Sequence, residues 1–241
     1  DIYRKFAGSD PLDEPMQIFP AAHYAMGGLW VDFERDPASG GVQPDSPRNH
    51  ATNIPGLYAC GECDYAYHGA NRLGANSLLS ASYSGRVAGE AVASYLKGLA
   101  LGDIPQTYFD AEVSRQQAVN QGFMTAAGDQ NPYALHRELG ELMTTKVGVV
   151  RDNRELDAAD AQLQDLLSRF DRIDLGESSP WVNQTLAYAR QVQDMAQLAR
   201  VIARSARSRD ECRGAHHKPE FALPLPAGKH PGDPEYAAFT E

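Results

Sequence analysis

The chain has 241 residues and a formal charge of −10, from 22 Lys and Arg against 32 Asp and Glu, with a sequence pI near 5.1. That balance argues against a nucleic-acid binder, which carries a basic face, and no apolar run approaches the ~20 residues of a membrane-spanning helix. Three cysteines make no disulfide framework in a chain of this length, so a reduced cytosolic setting is expected.

The first residues, "DIYRKFAGSDPLDEPM", are charged, lack the apolar stretch of a secretory signal and do not start with Met, which points to a portion of a longer protein. Residues 1–60 are rich in Pro and Gly. Two short apolar runs there, "GLWVDF" (28–33) and "GLYAC" (56–60), are bounded by turn residues and predict strands. "DPASGGVQPDSPRN" (36–49) predicts a turn-rich loop. "NSLLSASYSGRVAGEAVASYLKG" (76–98) predicts a helix, because Leu78, Leu79, Tyr83, Val87, Ala91 and Tyr95 recur at helical spacing and Gly98 suits its C-cap. Its small residues Ser84, Gly85, Ala88 and Gly89 predict close packing against a sheet.

From about residue 105 the pattern is long, charged and helical. "NPYALHRELGELMTTKVGVV" begins with Asn131 as N-cap and Pro132 at the first helical position. Residues 153–173 are amphipathic through Leu156, Leu163, Leu166, Leu167 and Phe170. A last helix is expected to open on Ser179 and Pro180 and to run to about Arg209. Its apolar stripe of Leu186, Val192, Met195, Leu198, Val201 and Ile202 predicts an antiparallel bundle about three helices deep. The chain ends in a Pro-rich tail.

The stretch "HGANRLGANSLL" (68–79) carries the strongest chemical signal. Arg72 is flanked by Gly69, Ala70, Gly74 and Ala75, which give it no bulk to lie against, and it has no adjacent carboxylate. Such an arginine can grip a planar carboxylate with both arms of its fork. Asn76 and Ser77 follow at a helix start, where free N–H groups and the dipole favour negative charge. Glu62 precedes Arg72 by ten residues at an expected strand end, the usual place for ligand contacts in an open α/β sheet. His23 stands just before Gly27 and Gly28, which let backbone approach a ligand closely. The "CGEC" pair, Cys60 and Cys63, has no second pair to complete a zinc site and opens no thioredoxin-type helix, so both cysteines read as packing residues that hold no metal.

Taken together, "HYAMGG", "TNIPGLYACGECDYAYHGANRLGANSLLSASYSGRVAG" and the late "ECRGAHHKPEF" resemble the flavoprotein subunit of succinate dehydrogenase and fumarate reductase, most of all in menaquinone-linked bacterial complexes. The resemblance covers nearly the whole chain and implies α/β followed by all-α: the last part of an interrupted FAD-binding domain, then a helical-bundle domain. Residues 1–18 then correspond to the end of a capping domain, 19–104 to the C-terminal part of the FAD-binding domain, and 105–241 to the helical C-terminal domain with its Pro-rich tail. By position, the resemblance implies that His23 and Arg72 bind succinate or fumarate and that Glu62, Asn76, Ser77 and Leu78 contact FAD. It further implies electron transfer through an iron–sulfur subunit to a quinone-binding membrane anchor, and a place on the cytoplasmic face of the bacterial inner membrane. No G-x-G-x-x-G follows a strand, so the ADP-binding unit is missing, and no cysteine clusters exist for iron–sulfur centres. The family's flavin-attaching His and proton-accepting Arg belong to upstream segments. The chain alone is therefore expected to be inactive. Two other readings are an L-aspartate oxidase-like flavoenzyme, in which "NRMASNSLL" would be expected in place of "NRLGANSLL", and a non-catalytic helical interaction module.

Overall fold

The computed structural model describes residues 2–16, 23–100, 102–177, 179, 181–224 and 227–229. The expected boundary at 18/19, Pro180 and most of the Pro-rich tail lie outside the described residues. The chain divides into two units, 1–98 and 99–241.

In the first unit, α1 (Ile2–Ala7) is followed by a long turn-rich segment and then by α2 (Asn76–Lys97). The strands expected at 28–33 and 56–60 are not formed as such. Among the described residues this segment holds only single bridges, Leu29 with Asp64, Arg35 with Val42 and Ala51 with Tyr58. The physical reason is local. Asp32 N–H donates to Ala51 O at 2.8 Å and His50 N–H to Asp32 O at 2.9 Å, but His50 then takes a left-handed φ of 63°, which ends the pairing after one exchange.

Gly28 sets the other side. A Cβ there would lie 2.4 Å from Cys63 O, so only glycine permits the bond from Leu29 N–H to Cys63 O at 2.8 Å. Gly27 has open space around its Cα. The close approach that Gly28 allows is therefore to the chain's own backbone rather than to a ligand.

The interior of this unit is largely polar: among the described residues Ser46, Asn49, His50, Asp64, Ser80 and Ser84 are buried beside only Val31, Ala59, Ala88 and Ala91. Hydrogen bonding satisfies most of it. The Asn49 side chain accepts from Glu34 N–H at 3.0 Å and donates to Gln43 O at 2.8 Å, and Ser84 Oγ accepts from Gly61 N–H at 2.8 Å. The buried face of α2 is a narrow row of small residues, Ser80, Ser84, Ala88 and Ala91. Leu78, Leu79 and Tyr83, taken from the sequence as part of its apolar face, are exposed, and Gly85 and Gly89 face open space.

The second unit is built from α3 (Gln106–Thr125), α4 (Pro132–Leu142), α5 (Asn153–Ser168) and α6 (Gln184–Ser208). A π-helical turn at Met143–Val147 extends α4, and a 3₁₀ turn at Arg169–Arg172 extends α5. Asn131 caps α4, its side chain accepting from Tyr133 and Ala134 N–H, with Pro132 at the first position as expected. The start of α6 differs from the Ser179–Pro180 expectation: Asn183 is the N-cap, accepting from Leu186 N–H at 2.9 Å.

The α6 seam also differs. Its buried residues are Ala189, Val192, Ala196, Ala199, Ala203 and Ala206, at alternating spacings of three and four, the a/d rhythm of a helix pair. Facing them, α5 buries Leu156, Ala159, Leu163 and Leu166. Met195, Leu198, Val201 and Ile202, read from the sequence as the stripe, are exposed. The bulky residues on α5 already fill the seam, so α6 contributes small ones. The helices run antiparallel, as Arg200 with Asp160 at 2.6 Å and Arg207 with Asp157 at 2.9 Å show.

The "RGAHHKPEF" segment closes this unit. The ammonium of Lys218 is fully buried and donates to the carbonyls of Ala206, Arg207 and Arg209 and to Asp210 Oδ1 at 2.9–3.4 Å. It thereby satisfies the orphan carbonyls at the end of α6.

Candidate functional site

The candidate residues gather at the start of α2. Ala75, the N-cap, holds a left-handed φ of 68° and supplies no side-chain cap. Asn76 N–H bonds to Leu73 O at 3.3 Å, while the Ser77 and Leu78 amides find no acceptor among the described residues. A 22-residue helix thus presents two free N–H groups and the positive end of its dipole. Ser77 is half-buried, and the Leu78 side chain is exposed.

Arg72 sits just before this start. NH1 donates to Leu73 O at 3.2 Å, and Nε is buried with no acceptor among the described residues. Glycines and alanines flank it in sequence, but its guanidinium does not lie bare: Cζ is 5.5 Å from the centroid of the Tyr24 ring. Tyr24 in turn meets the His68 ring edge-on at 4.9 Å, and its hydroxyl lies 3.4 Å from Ser80 Oγ. His23, the residue before it, is exposed and makes no side-chain hydrogen bond among the described residues.

Glu62 lies on a 3₁₀ turn, Gly61–Cys63, in place of the expected strand end. Its Oε1 accepts from Ala25 N–H at 2.9 Å, tying down the loop that carries His23 and Tyr24. Asn76 lines a cavity of about 330 Å³ with Tyr67, His68, Leu79, Ser80 and Tyr83. The structure thus joins Glu62 and Arg72 through the 23–25 loop and sets Asn76, Ser77 and Leu78 at one helix end.

The profile of a family described as "FAD binding domain" matches residues 1–78, and that of "Fumarate reductase flavoprotein C-term" matches residues 136–230. The succinate dehydrogenase flavoprotein subunit of Bacillus subtilis is 47% identical over 92% of this chain and 36% of its own length. The fumarate reductase flavoprotein subunit of Haemophilus influenzae is 32% identical over 92% of this chain and 34% of its own. A solved quinol fumarate reductase of E. coli superposes with a TM-score of 0.73 at 29% identity, covering 96% of this chain and 36% of that one. The chain belongs to the succinate dehydrogenase and fumarate reductase flavoprotein subunit family. It spans about a third of the length of the curated relatives it matches.

Several residues around the candidate site carry no local mark in the sequence. Tyr24 and Ser80 are joined to Arg72 and His68 only by folding, across 48 and 12 residues. Buried His50 and Asp64 form a trio with half-buried Tyr67: His50 Nδ1 is 2.9 Å from Ala59 O, its Nε2 is 2.7 Å from Tyr67 Oη, and Asp64 Oδ2 is 3.6 Å from Nδ1. The Ala59 carbonyl can only accept, so His50 carries its proton on Nδ1 and, when neutral, accepts from the Tyr67 hydroxyl. Burial pushes the His50 pKa down, against the Ala59 bond and the Asp64 charge that raise it, and burial raises that of Tyr67. Asp64 Oδ2 has no hydrogen-bond partner among the described residues. Cys60 and Cys63 are exposed, with Cys63 Sγ donating to Cys60 O at 3.2 Å. Among the described residues, no three His, Cys, Asp or Glu side chains gather as a metal site.

Proposed function

We propose that this chain forms the C-terminal part of a flavoprotein subunit that oxidises succinate to fumarate, or runs the reverse, with FAD as cofactor. The observation that carries this reading is Arg72, whose Nε–H is buried without an acceptor beside a helix start with two free amides. An arginine donor out of water with nothing to bond is costly unless a ligand completes it. A carboxylate does so with matched, bidentate geometry. FAD supplies the hydride acceptor for succinate oxidation and the hydride donor for fumarate reduction.

The chain's own residues bind and orient. Arg72 grips one carboxylate, and His23 on the neighbouring loop supplies a second polar contact. Together they hold the substrate's central C–C bond in a fixed orientation. The free amides of Ser77 and Leu78 fit an electron-rich edge of the cofactor, since the helix dipole favours charge developing there. Glu62 keeps one carboxylate oxygen for a cofactor hydroxyl while the other holds the 23–25 loop, and Asn76 supplies an amide at the cavity wall. The single bridges at 29–64 and 51–58 are then the returning edge of a sheet completed by other parts of the FAD-binding domain. On this reading residues 1–18 end the capping domain, 19–104 belong to the FAD-binding domain and 105–241 form the helical domain.

Electrons leave through an iron–sulfur subunit to a quinone-binding membrane anchor, with the flavoprotein on the cytoplasmic face of the membrane. Among the described residues no helix is long and apolar enough to cross a membrane. The relatives named above favour this over an L-aspartate oxidase-like enzyme. The test is Arg72→Lys in the full-length subunit, assayed with an artificial electron acceptor alongside the flavin-to-protein ratio. Lysine keeps the charge and loses the fork, so kcat/KM should fall by at least ~2 kcal/mol of transition-state stabilisation with flavin content nearly unchanged. Near-normal turnover would show that Arg72 is structural.

A further inference from the structure

We propose that Tyr24 is a positioning residue: its ring is the platform that fixes the plane of the Arg72 guanidinium and so sets how tightly the site holds a dicarboxylate. This deepens the reading of Arg72 as the carboxylate grip and rests on it. A bidentate grip needs the fork in one plane, yet among the described residues the Arg72 side chain makes a single hydrogen bond, to Leu73 O, and it has small neighbours at 69, 70, 74 and 75. One bond leaves the guanidinium free to rotate. The Tyr24 face, 5.5 Å from Cζ, removes that freedom, within the range where a cation and an aromatic face attract.

The platform is itself held from three directions. Ala25 N–H donates to Glu62 Oε1 at 2.9 Å, which anchors the loop. The ring abuts the His68 imidazole at an interplanar angle of 86°. The hydroxyl meets Ser80 Oγ at 3.4 Å. Ser80 bonds to the Ser77 carbonyl at 2.9 Å, and a carbonyl can only accept, so the Ser80 proton is committed there. Ser80 Oγ therefore accepts from Tyr24 Oη–H and from His68 Nε2–H, the latter at 2.9 Å. The phenol is turned toward α2, and what Tyr24 offers Arg72 is its face. The ring therefore matters more than the hydroxyl.

The test uses the full-length flavoprotein in its assembled complex, with Tyr24→Leu, Tyr24→Phe, Arg72→Lys and the Tyr24→Leu/Arg72→Lys double variant. Malonate, a non-reacting dicarboxylate, is titrated against flavin absorbance on the flavin-loaded fraction, and succinate KM and kcat are measured beside it. Tyr24→Leu should weaken malonate binding and raise succinate KM about fivefold, the scale of one cation–π contact. Tyr24→Phe should stay within about twofold of wild type, and the double variant should bind malonate no worse than Arg72→Lys alone. The proposal is overturned if Tyr24→Leu binds malonate normally, if Tyr24→Phe loses as much as Tyr24→Leu, or if the two losses add in the double variant. Normal malonate binding by Arg72→Lys would overturn the grip itself, a pattern distinct from failure at Tyr24 alone.

Discussion

Positions 196 and 198 of α6 separate two readings of one helix. Ala196 has no exposed surface, while Leu198 is 60% exposed. In the register set by the Arg200–Asp160 and Arg207–Asp157 pairs, residue 196 lies level with the Leu163–Leu166 turn of α5, where both leucines are fully buried. Ala196→Leu forces three more carbons into that seam. Overpacking of this kind costs about 1–3 kcal/mol, and two long helices packed through alanines have little room to part, so ~2 kcal/mol or more is expected. Leu198→Gln removes a side chain already mostly in water, and losing the buried remainder costs under about 1 kcal/mol. Unfolding followed by helical circular dichroism reads both. A loss of ~2 kcal/mol lowers the midpoint by roughly 4–8 °C for a chain of this length, and the Leu198→Gln midpoint should move far less. If Leu198→Gln destabilised more than Ala196→Leu, the bulky stripe would be the true seam.

Gly28→Ala should destabilise the first unit and loosen the 23–29 loop, because the new Cβ would meet Cys63 backbone that cannot move aside; Gly27→Ala, with open space around it, should fold normally. Faster proteolysis within residues 23–65 of Gly28→Ala, absent from Gly27→Ala, is the readout, and equal behaviour would refute the contact. Acid should weaken the helical unit through His216. Its Nδ1 accepts from Arg151 at 2.9 Å and its Nε2–H donates to Arg209 O at 3.0 Å, while burial, followed by the charges of Arg209, Arg151 and Lys218, holds its pKa below the usual 6.5. The unfolded chain therefore binds a proton more readily, so this stabilisation is complete above pH ~6.5 and is lost as pH falls below it toward the depressed folded pKa. His216→Gln should flatten the fall in melting temperature between pH 7 and 5, and an unchanged slope would remove His216 from the account.

What was legible in the sequence follows what is local. Asn131–Pro132 announces α4 because capping is settled within four residues, and α2 and α5 were found within a few residues of their ends by spacing alone. On α6 bulk does not mark burial: of the expected stripe, Val192 is buried while Met195, Leu198, Val201 and Ile202 are exposed. Which of two stripes faces inward depends on the volume the partner helix already supplies, and that is not written in α6. The strands at 28–33 and 56–60 failed for a similar reason: apolar runs can pair only where partners extend alongside, and His50 turns the chain away after one exchange. At the site, Arg72 and the helix start were visible because glycines around an arginine are a local signal. Tyr24 was not, since its place beneath Arg72 depends on Glu62 holding Ala25, a contact across 37 residues.

The two units differ in the chemistry of the polar groups they leave unpaired. In the helical unit long cationic side chains are multiply bonded. Lys218 reaches four acceptors, and Arg169 holds both oxygens of Glu138 and the Gln130 amide oxygen. Apolar burial from Phe123 to Ala206 forms one continuous core there, and among the described residues its one buried side-chain atom without a hydrogen-bond partner is an acceptor, Asn153 Oδ1. In the first unit, among the described residues, the buried Arg72 Nε and Asp64 Oδ2 have no hydrogen-bond partner, and the Ser77 and Leu78 amides at the start of α2 find no acceptor. Leaving a buried polar group unpaired costs about 1–3 kcal/mol, so the Arg72 donor is hard to retain unless something outside this set of residues completes it. The Arg72 donor and the two amides call for acceptors, as a carboxylate ligand and an electron-rich cofactor edge would provide. The chemistry of the unpaired groups thus agrees with the family to which the chain belongs, and does so without appeal to it.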